Sequence, residues 1–419
     1  VITRADALAL DAADPLAPRR AHYVVDDSVI YLDGNSLGRL PRATVGVLRE
    51  AVEQQWGQAL VRAWPGWIDL PSRVGDLIAV NLLGARPAEV VLCDSTTVNL
   101  YKLAHAALHA QPGRRVIVVA EDEFPTDRYV LAGLAASCGA ELRVVGCDPD
   151  DGPALEALEA ALDQDVALVC LSLVGYRSGA LLDLPAVTRL VHAAGALVLW
   201  DLSHAAGAVP IDLQDGGADL AVGCTYKYLN GGPGSPAFLY VRRELQERLG
   251  NPIQGWFGQY DQFAMGLAHV PRAGVARFLT GTPSVLGTLA VEQGVRGLAE
   301  AGLPALRAKG MALTALLVDL VEQAGLLDPD AGGFALASPR DPARRGSHVC
   351  LQHPQAWQIC QALLERGVVA DFRVPVRLRL GPAPAYTRHV EVWDAVDRLR
   401  EVMAARSYDA HPSAVGAVT

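Results

Sequence analysis

Short apolar runs recur through the first two thirds of the chain, and most are followed by a stretch with helical periodicity. The runs are Val90–Cys93, Val116–Ala120, Leu142–Val145, Val166–Leu173, Ala196–Trp200, Leu220–Gly223 and Ala237–Val241. They are rich in Val, Leu and Ile, are bounded by Gly or polar residues, and have strand rather than helix lengths. Between them lie the amphipathic stretches Asn99–His109, Asp127–Ser137, Pro153–Leu162 and Leu184–Ala194. Strands that are apolar along their whole length must be covered on both faces. The alternation therefore predicts an α/β class with a mostly parallel, seven-stranded sheet between helical layers.

The pattern changes near Thr282-Pro283. Val285–Gln323 reads as nearly continuous helix with one break at Ala301-Gly302-Leu303-Pro304. A Gly/Pro/Asp-rich stretch, Asp328–Gly346, precedes strand-like runs at His348–Gln352, Val368–Phe372 and Leu378–Leu380 and a last helix at Val390–Ala405. This is a second, smaller α+β region. The expected division is a large domain at 46–288, a small α+β domain made of 1–45 with 289–409, and a disordered tail at 410–419.

The formal net charge of -10 disfavours nucleic acid as a partner, although backbone amides in a cleft can still hold a small anion. The seven cysteines form no C-x-x-C pair and are odd in number, as expected of reduced thiols in a cytoplasmic protein. Residues 1–16 lack the basic-then-apolar pattern of a signal peptide. No apolar stretch approaches the roughly 18–20 residues of a membrane helix.

The segment Ala218–Gly234, ADLAVGCTYKYLNGGPG, carries the most chemistry. A strand delivers the chain to Cys224-Thr225-Tyr226-Lys227, and a Gly-rich loop follows. A lysine in such a place is a candidate Schiff-base amine; taken alone, it reads equally as a lysine paired with a carboxylate. Upstream, Asp201 ends an apolar strand and His204 opens a small-residue turn. Carboxyl ends of strands are where open α/β sheets bind ligands. An acid there suits a protonated ring nitrogen, and Asp201 together with Lys227 is a stronger signal than either. An ordinary turn cap is the alternative for Asp201. Asp94-Ser95-Thr96-Thr97-Val98-Asn99 joins a strand to a helix, and its hydroxyls and amides suit an anion or serve as a plain N-cap. In Glu123-Phe124-Pro125-Thr126-Asp127 an aromatic face is available to a planar ring. His105 and His109 are four apart without a metalloprotease glutamate and read as ordinary helix histidines, so no metal is expected. G-x-x-x-x-G-K-[ST], G-x-G-x-x-G and G-x-S-x-G patterns are missing.

Together these segments resemble the kynureninase family of pyridoxal-phosphate enzymes, within the aminotransferase superfamily of fold type I. The matching stretches are YLDGNSLG (Tyr31–Gly38), DSTTVNLYK (Asp94–Lys102), FPTD (Phe124–Asp127), WDLSHAAGAVP (Trp200–Pro210) and GCTYKYLNGGPGSPAF (Gly223–Phe238). GWFG (Gly255–Gly258), RFLTGT (Arg277–Thr282), RGSHV (Arg345–Val349) and RLGPAPAYT (Arg379–Thr387) continue the match.

The resemblance implies a role for each position. Lys227 carries pyridoxal 5'-phosphate covalently, and Asp201 pairs with its ring nitrogen, with His204 close by. Thr96, Thr97 and Tyr226 hold the phosphate, Phe124 stacks on the ring, and Asp127 and Ser172 complete the polar contacts. Trp256 and Thr282 reach the cofactor of the neighbouring subunit, which makes the active unit a homodimer. Arg379 grips the substrate carboxylate, with Asn35, Trp64 and Gly281 also on the substrate side. The implied reaction is hydrolysis of L-kynurenine to anthranilate and L-alanine, with 3-hydroxykynurenine used less well and Tyr226 a candidate proton carrier. Tryptophan catabolism and NAD biosynthesis are the implied settings. The rival within the same fold is a cysteine desulfurase or an aminotransferase; a desulfurase needs a mobile cysteine at the site.

Overall fold

The computed structural model describes residues 1–416. Its strands are β1 (Ile30–Tyr31), β2 (Val90–Leu92), β3 (Val116–Ala120), β4 (Glu141–Val145), β5 (Val166–Ser172), β6 (Leu197–Asp201), β7 (Leu220–Gly223), β8 (Phe238–Val241), β9 (Ala335–Leu336), β10 (Val349–Gln352), β11 (Val368–Val369), β12 (Asp371–Arg373) and β13 (Arg377–Leu380). The α-helices are α1 (Arg4–Ala13), α2 (Arg42–Glu50), α3 (Trp64–Trp67), α4 (Leu70–Leu82), α5 (Thr96–His109), α6 (Pro125–Cys138), α7 (Leu155–Ala160), α8 (Leu184–Ala193), α9 (Val285–Ala301), α10 (Leu303–Gln323), α11 (Ala356–Glu365) and α12 (His389–Ala405).

The large sheet has seven strands in the order β2-β8-β7-β6-β5-β3-β4. Pairings from β4 through β7 are parallel, whereas β8 runs antiparallel to both β2 and β7. Apart from the edge strand β4, which is largely exposed, its strands are buried on both faces. Val116 and Val118 enter one core with Leu70, Val74 and Ile78 of α4; Ile117 and Val119 enter another with Leu100 and Leu103 of α5. Alternate residues thus serve opposite layers, which is why the strands read as unbroken apolar runs.

A further core gathers Ile30 and Leu32 with Leu313, Leu317, Val349, Leu351, Leu378, Leu380 and Val396. It surrounds the antiparallel sheet β12-β13-β10-β9. Helices α9 and α10 bend by 84° at their junction, inside the expected break. Val291, Val295, Leu298 and Leu306 belong to the large core, as do Leu16 and Tyr23. The change of core therefore falls within α10, and part of the 1–45 segment packs on the large layer. No single helix among the described residues is long and apolar enough to cross a membrane.

The single strand expected at Val368–Phe372 is two. Val368–Val369 pairs with β1, and Asp371–Arg373 turns to pair with β13. The expected disordered tail is engaged at its start: Ala410 ends a 3-10 turn, and the His411 carbonyl accepts from Gln358 Nε2 at 3.0 Å. Residues 417–419 lie outside the described residues.

Candidate active site

The carboxyl ends of β5, β6 and β7 lie side by side. Ser172 closes β5 and pairs across the sheet with Asp201, the last residue of β6; Asp201 in turn pairs with Val222 of β7. Past Gly223 the chain bends and brings Lys227 Nζ to 2.9 Å from Nε2 of His204. The bend is fixed from inside: the Thr225 hydroxyl lies 2.6 Å from Ser235 Oγ and 2.7 Å from the Pro236 carbonyl. It is fixed from outside by the YLDGNSLG turn, where Gly38 N donates to the Tyr226 carbonyl at 2.8 Å. A Cβ on Gly38 would meet the Lys227 carbonyl oxygen at 2.3 Å, so the turn can lie this close only as glycine.

Lys227 is half-buried and opens on a cavity of about 330 Å³. At one end stands the first turn of α5. Its N-cap is Ser95, whose hydroxyl accepts from Val98 N at 3.3 Å, and Ser95, Thr96 and Thr97 all line the cavity. The free amides of that turn and the helix dipole make an anion site. Asp94 is turned away. Its carboxylate takes Lys102 Nζ at 2.7 Å and the Thr280 hydroxyl at 2.9 Å, and Lys102 also donates to the Phe278 carbonyl at 2.8 Å. An ion pair between the fully buried Lys102 and the partly exposed Asp94 thus ties segment 278–280 to the anion loop.

Asp127 and Asp201 add an acidic part to the same lining. Asp201 Oδ1 accepts the Ser203 amide at 2.6 Å. Burial, then the charges of Asp201 and Glu123, raise the Asp127 carboxyl well above its usual range. Asp127 Oδ2 is buried with no partner among the described residues. Glu123 is pushed up to about 7, by burial first and by Asp201, against the hydrogen bonds it receives from Ser172 and Phe124. Burial and the neighbouring Lys227 push His204 far down, so its imidazole is neutral, and its Nδ1 is without a partner among the described residues. Cys224 beside it and then burial raise the Tyr226 phenol, which therefore keeps its proton. Phe124 and Tyr176 meet edge-on at 5.2 Å on the cavity wall.

A family model for the kynureninase C-terminal domain matches residues 306–399, and one for class-V aminotransferases matches 77–346. The chain is 46% identical to a kynureninase of Pseudomonas fluorescens over 414 residues, covering 97% of each. It is 45% identical over 417 residues to a kynureninase of Burkholderia pseudomallei, again 97% of each. The chain belongs to the kynureninase family. Solved structures share its fold at low identity. A cysteine desulfurase from Thermococcus onnurineus superposes with a TM-score of 0.78 at 18% identity over 93% of this chain and 98% of that one. One from Escherichia coli gives 0.79 at 19% identity over 93% and 98%. A cystine C–S lyase, at 0.79 and 16% identity over 91% and 99%, holds glycine covalently linked to its PLP cofactor.

Nine of the residues given a role by the family resemblance line this one cavity: Thr96, Thr97, Phe124, Asp127, Ser172, Asp201, His204, Tyr226 and Lys227. Ser95, Thr126, Tyr176 and Ser203 line it too and were not singled out. Three of them lie inside the quoted motifs beside residues given a role, and Tyr176 follows a strand's carboxyl end, so position alone was an available signal. His348, quoted in the RGSHV stretch without a role, is fully buried beside His204, with ring centroids 5.4 Å apart and both its nitrogens unpartnered among the described residues.

Arg379 and Asn35 lie together but outside the cavity lining. Arg379 Nη1 donates to the Tyr176 carbonyl at 2.7 Å, and Nη2 donates to Ser36 Oγ at 2.9 Å and to Asp371. With its amide oxygen turned toward the guanidinium, Asn35 accepts from Nε at 2.7 Å. A two-pronged grip on a carboxylate therefore requires at least one of these partners to be exchanged. Trp64, Trp256, Gly281 and Thr282 do not line the protomer's cavity. Trp64 packs on Trp256 at 6.1 Å and Phe257 at 6.2 Å, while Gly281 and Thr282 are exposed. Elsewhere, Cys138 joins His105 and His109, whose rings stack at 3.9 Å. Arg114 and Arg115 line the same hollow as His109 and Cys138, and their charge opposes a bound cation.

Proposed function

We propose that this chain is a pyridoxal-phosphate kynureninase that hydrolyses L-kynurenine to anthranilate and L-alanine. The observation that carries the reading is one cavity in which an amine, a strand-end carboxylate and a hydroxyl-rich helix N-terminus face one another. The residues fit the cofactor. The amides and hydroxyls of Ser95, Thr96 and Thr97 suit its phosphate. Asp201, backed by the unpartnered Asp127 Oδ2, suits a protonated ring nitrogen, whose charge would relieve two buried acids. The Phe124 ring offers a face to the pyridine.

Bound there, the cofactor supplies a ring that stores the electrons of a substrate carbanion. Lys227 Nζ would hold the cofactor covalently and, when free, would be the base for the proton at the substrate α-carbon. The neutral His204 Nε2 accepts from that amine and orients it without adding charge. Tyr226, still protonated, is a donor at the phosphate end and the candidate to pass a proton during hydrolysis. Arg379 binds the substrate carboxylate after giving up Ser36 or Asn35.

The active unit in this reading is a homodimer whose Trp256 and Thr282 complete the neighbouring cavity. Support comes from exposed apolar side chains around Trp64 and Trp256, namely Trp56, Val61, Tyr260, Phe263 and Leu267. Trp64 and Gly281 would flank the aryl ring and favour kynurenine over 3-hydroxykynurenine, because a tryptophan wall offers a ring hydroxyl no acceptor. A cytoplasmic enzyme of tryptophan breakdown or NAD supply accords with this reading.

Against a desulfurase, no cysteine lines the cavity among the described residues. Cys93 and Cys224 are buried, and burial raises the Cys93 thiol. The deciding experiment loads the protein with cofactor, records its visible absorbance, and follows anthranilate fluorescence on adding L-kynurenine. Sulfide release from cysteine without anthranilate release from kynurenine would overturn the proposal.

A further inference from the structure

Glu123 sits just outside the cavity and is held from two sides by backbone. Its Oε2 accepts the Ser172 amide at 2.8 Å, and its Oε1 accepts the Phe124 amide at 3.2 Å. The same Oε1 is bonded to the Ser172 hydroxyl. The two amide protons are fixed by the chain, one at the end of β5 and one at the entry to α6. The proton between Oε1 and Ser172 Oγ is the movable one. Ser172 itself faces the cavity, and its strand partner is Asp201.

We propose that Glu123 is a positioning residue that sets the hydrogen-bonding sense of Ser172 toward the cofactor. When Glu123 is ionised, the Ser172 O–H must donate to Oε1, and only the lone pairs of Oγ face the cavity. When Glu123 carries the proton, it donates to Oγ, and the Ser172 O–H turns to donate into the cavity. Glu123 takes up one proton from solvent, the Ser172 O–H rotates, and Ser172 changes from acceptor to donor toward the cavity. The groups facing Glu123 favour a change near neutral pH. Asp201 on β6 and Asp127 on α6 oppose its charge, Cys170 on β5 is a buried thiol that adds none, and the preceding Asp122 is neutralised by Arg177. Lys227 is the nearby cation, and it lowers Asp127.

This inference rests on the reading that the cofactor occupies this cavity. The test measures the dissociation constant of pyridoxal 5'-phosphate between pH 6 and 8.5 in the wild type and in Glu123→Gln, whose amide cannot titrate. Each is measured with Ser172 intact and in the Ser172→Ala background. The ligand's own phosphate titration cancels in the ratio of wild type to variant. With Ser172 intact, that ratio should change about threefold to tenfold across the window, the worth of one hydrogen bond. In the Ser172→Ala background it should stay within about twofold. A flat ratio with Ser172 present, or an equal change without it, would overturn the proposal. Should Glu123→Gln fail to fold, the ratio of wild type to Ser172→Ala, in which the phosphate titration again cancels, must show the pH step, and a flat ratio overturns the proposal equally. Borohydride fixation separates the two levels. A wild type that takes no label at Lys227 refutes the reading of the cavity, whereas a labelled wild type with a flat ratio refutes only the role of Glu123.

Discussion

Lys227 and Asp201 reach the cavity by different routes, one on a bend past β7 and one as the last residue of β6, and the proposed chemistry needs both. Lys227→Ala should abolish turnover and the borohydride-reducible bond to the cofactor; a variant that still labels would show that another amine does this work. Asp201→Asn should still take up cofactor but lose the carboxylate that stabilises ring charge, raising the barrier by at least about 2–3 kcal/mol. Single-turnover rates with kynurenine test it, and near wild-type rates would rule out the pairing. The acids behind Asp201 also make the cofactor-free protein sensitive to pH. Glu123 has a folded value of about 7 against an ordinary 4.5, so between those values the folded state holds the extra proton. Its contribution to stability is therefore complete below about pH 4.5 and is lost as pH rises through 7, and Asp127 is shifted the same way. Denaturant titration of the cofactor-free protein should show a loss on the order of 2–3 kcal/mol from pH 5 to pH 8, smaller in Glu123→Gln. Stability that rises over that range would contradict the assignment. At this scale the sequence exposed residues that sit in contiguous motifs. It could not expose Glu123 on Ser172, or Arg379 among Asn35, Ser36 and Asp371, because those contacts join segments 49 and 343 residues apart in the hydrogen bonds that define them.

Elements with one dominant signal were legible, and those with mixed signals were not. Apart from β4, whose sequence is ELRVV, the strands of the large sheet carry a mainly apolar signal, and β3 and β7 fall where expected. Helix α4 gave no such signal, since its sequence, LPSRVGDLIAVNL, contains Pro71 and Gly75, which read as loop punctuation. Both have local reasons. Pro71 lies in the first turn, where a missing N–H costs nothing. Gly75 lets α4 approach β2 so closely that a Cβ there would meet the Val90 carbonyl oxygen at 2.2 Å and its carbon at 2.8 Å. That contact reverses a familiar rule. In an exposed helix Gly→Ala stabilises by roughly 1 kcal/mol. Gly75→Ala should instead destabilise by about 1–3 kcal/mol, the cost of overpacking against backbone that cannot rotate away. Thermal and denaturant unfolding decide the sign, and a raised midpoint would show that α4 can shift at no cost.

At the scale of the whole molecule, the protomer carries apolar surface with nothing to cover it. The π-helical segment Ala51–Ala59 exposes Trp56 at 60%, and the stretch after Trp256 exposes Tyr260 at 74% and Phe263 at 59%. Trp64, eight residues beyond Trp56, packs on Trp256, and Trp256 packs edge-on against Phe263 at 6.1 Å, which brings the two parts of the chain together. Trp256, Gly281 and Thr282 belong to that region of the chain, yet none lines the protomer's own cavity. A homodimer that shares its sites across this face accounts for both facts, and it makes a prediction that a merely adjacent pair of protomers does not. Lys227→Ala leaves Trp256 and Thr282 intact, and a Trp256→Ala/Thr282→Ala double variant leaves Lys227 intact. Each homodimer should be inactive or nearly so. In a mixed dimer, one site combines the intact lysine of one protomer with the intact Trp256 and Thr282 of the other, while the second site has neither. Random exchange makes half the dimers mixed, so activity should recover to about a quarter of the wild-type value. Equimolar mixing at a dilution that permits exchange, followed by anthranilate release from kynurenine, measures it. If Trp256 and Thr282 served the cavity of their own chain, mixing would restore nothing, and the shared-site dimer would be excluded.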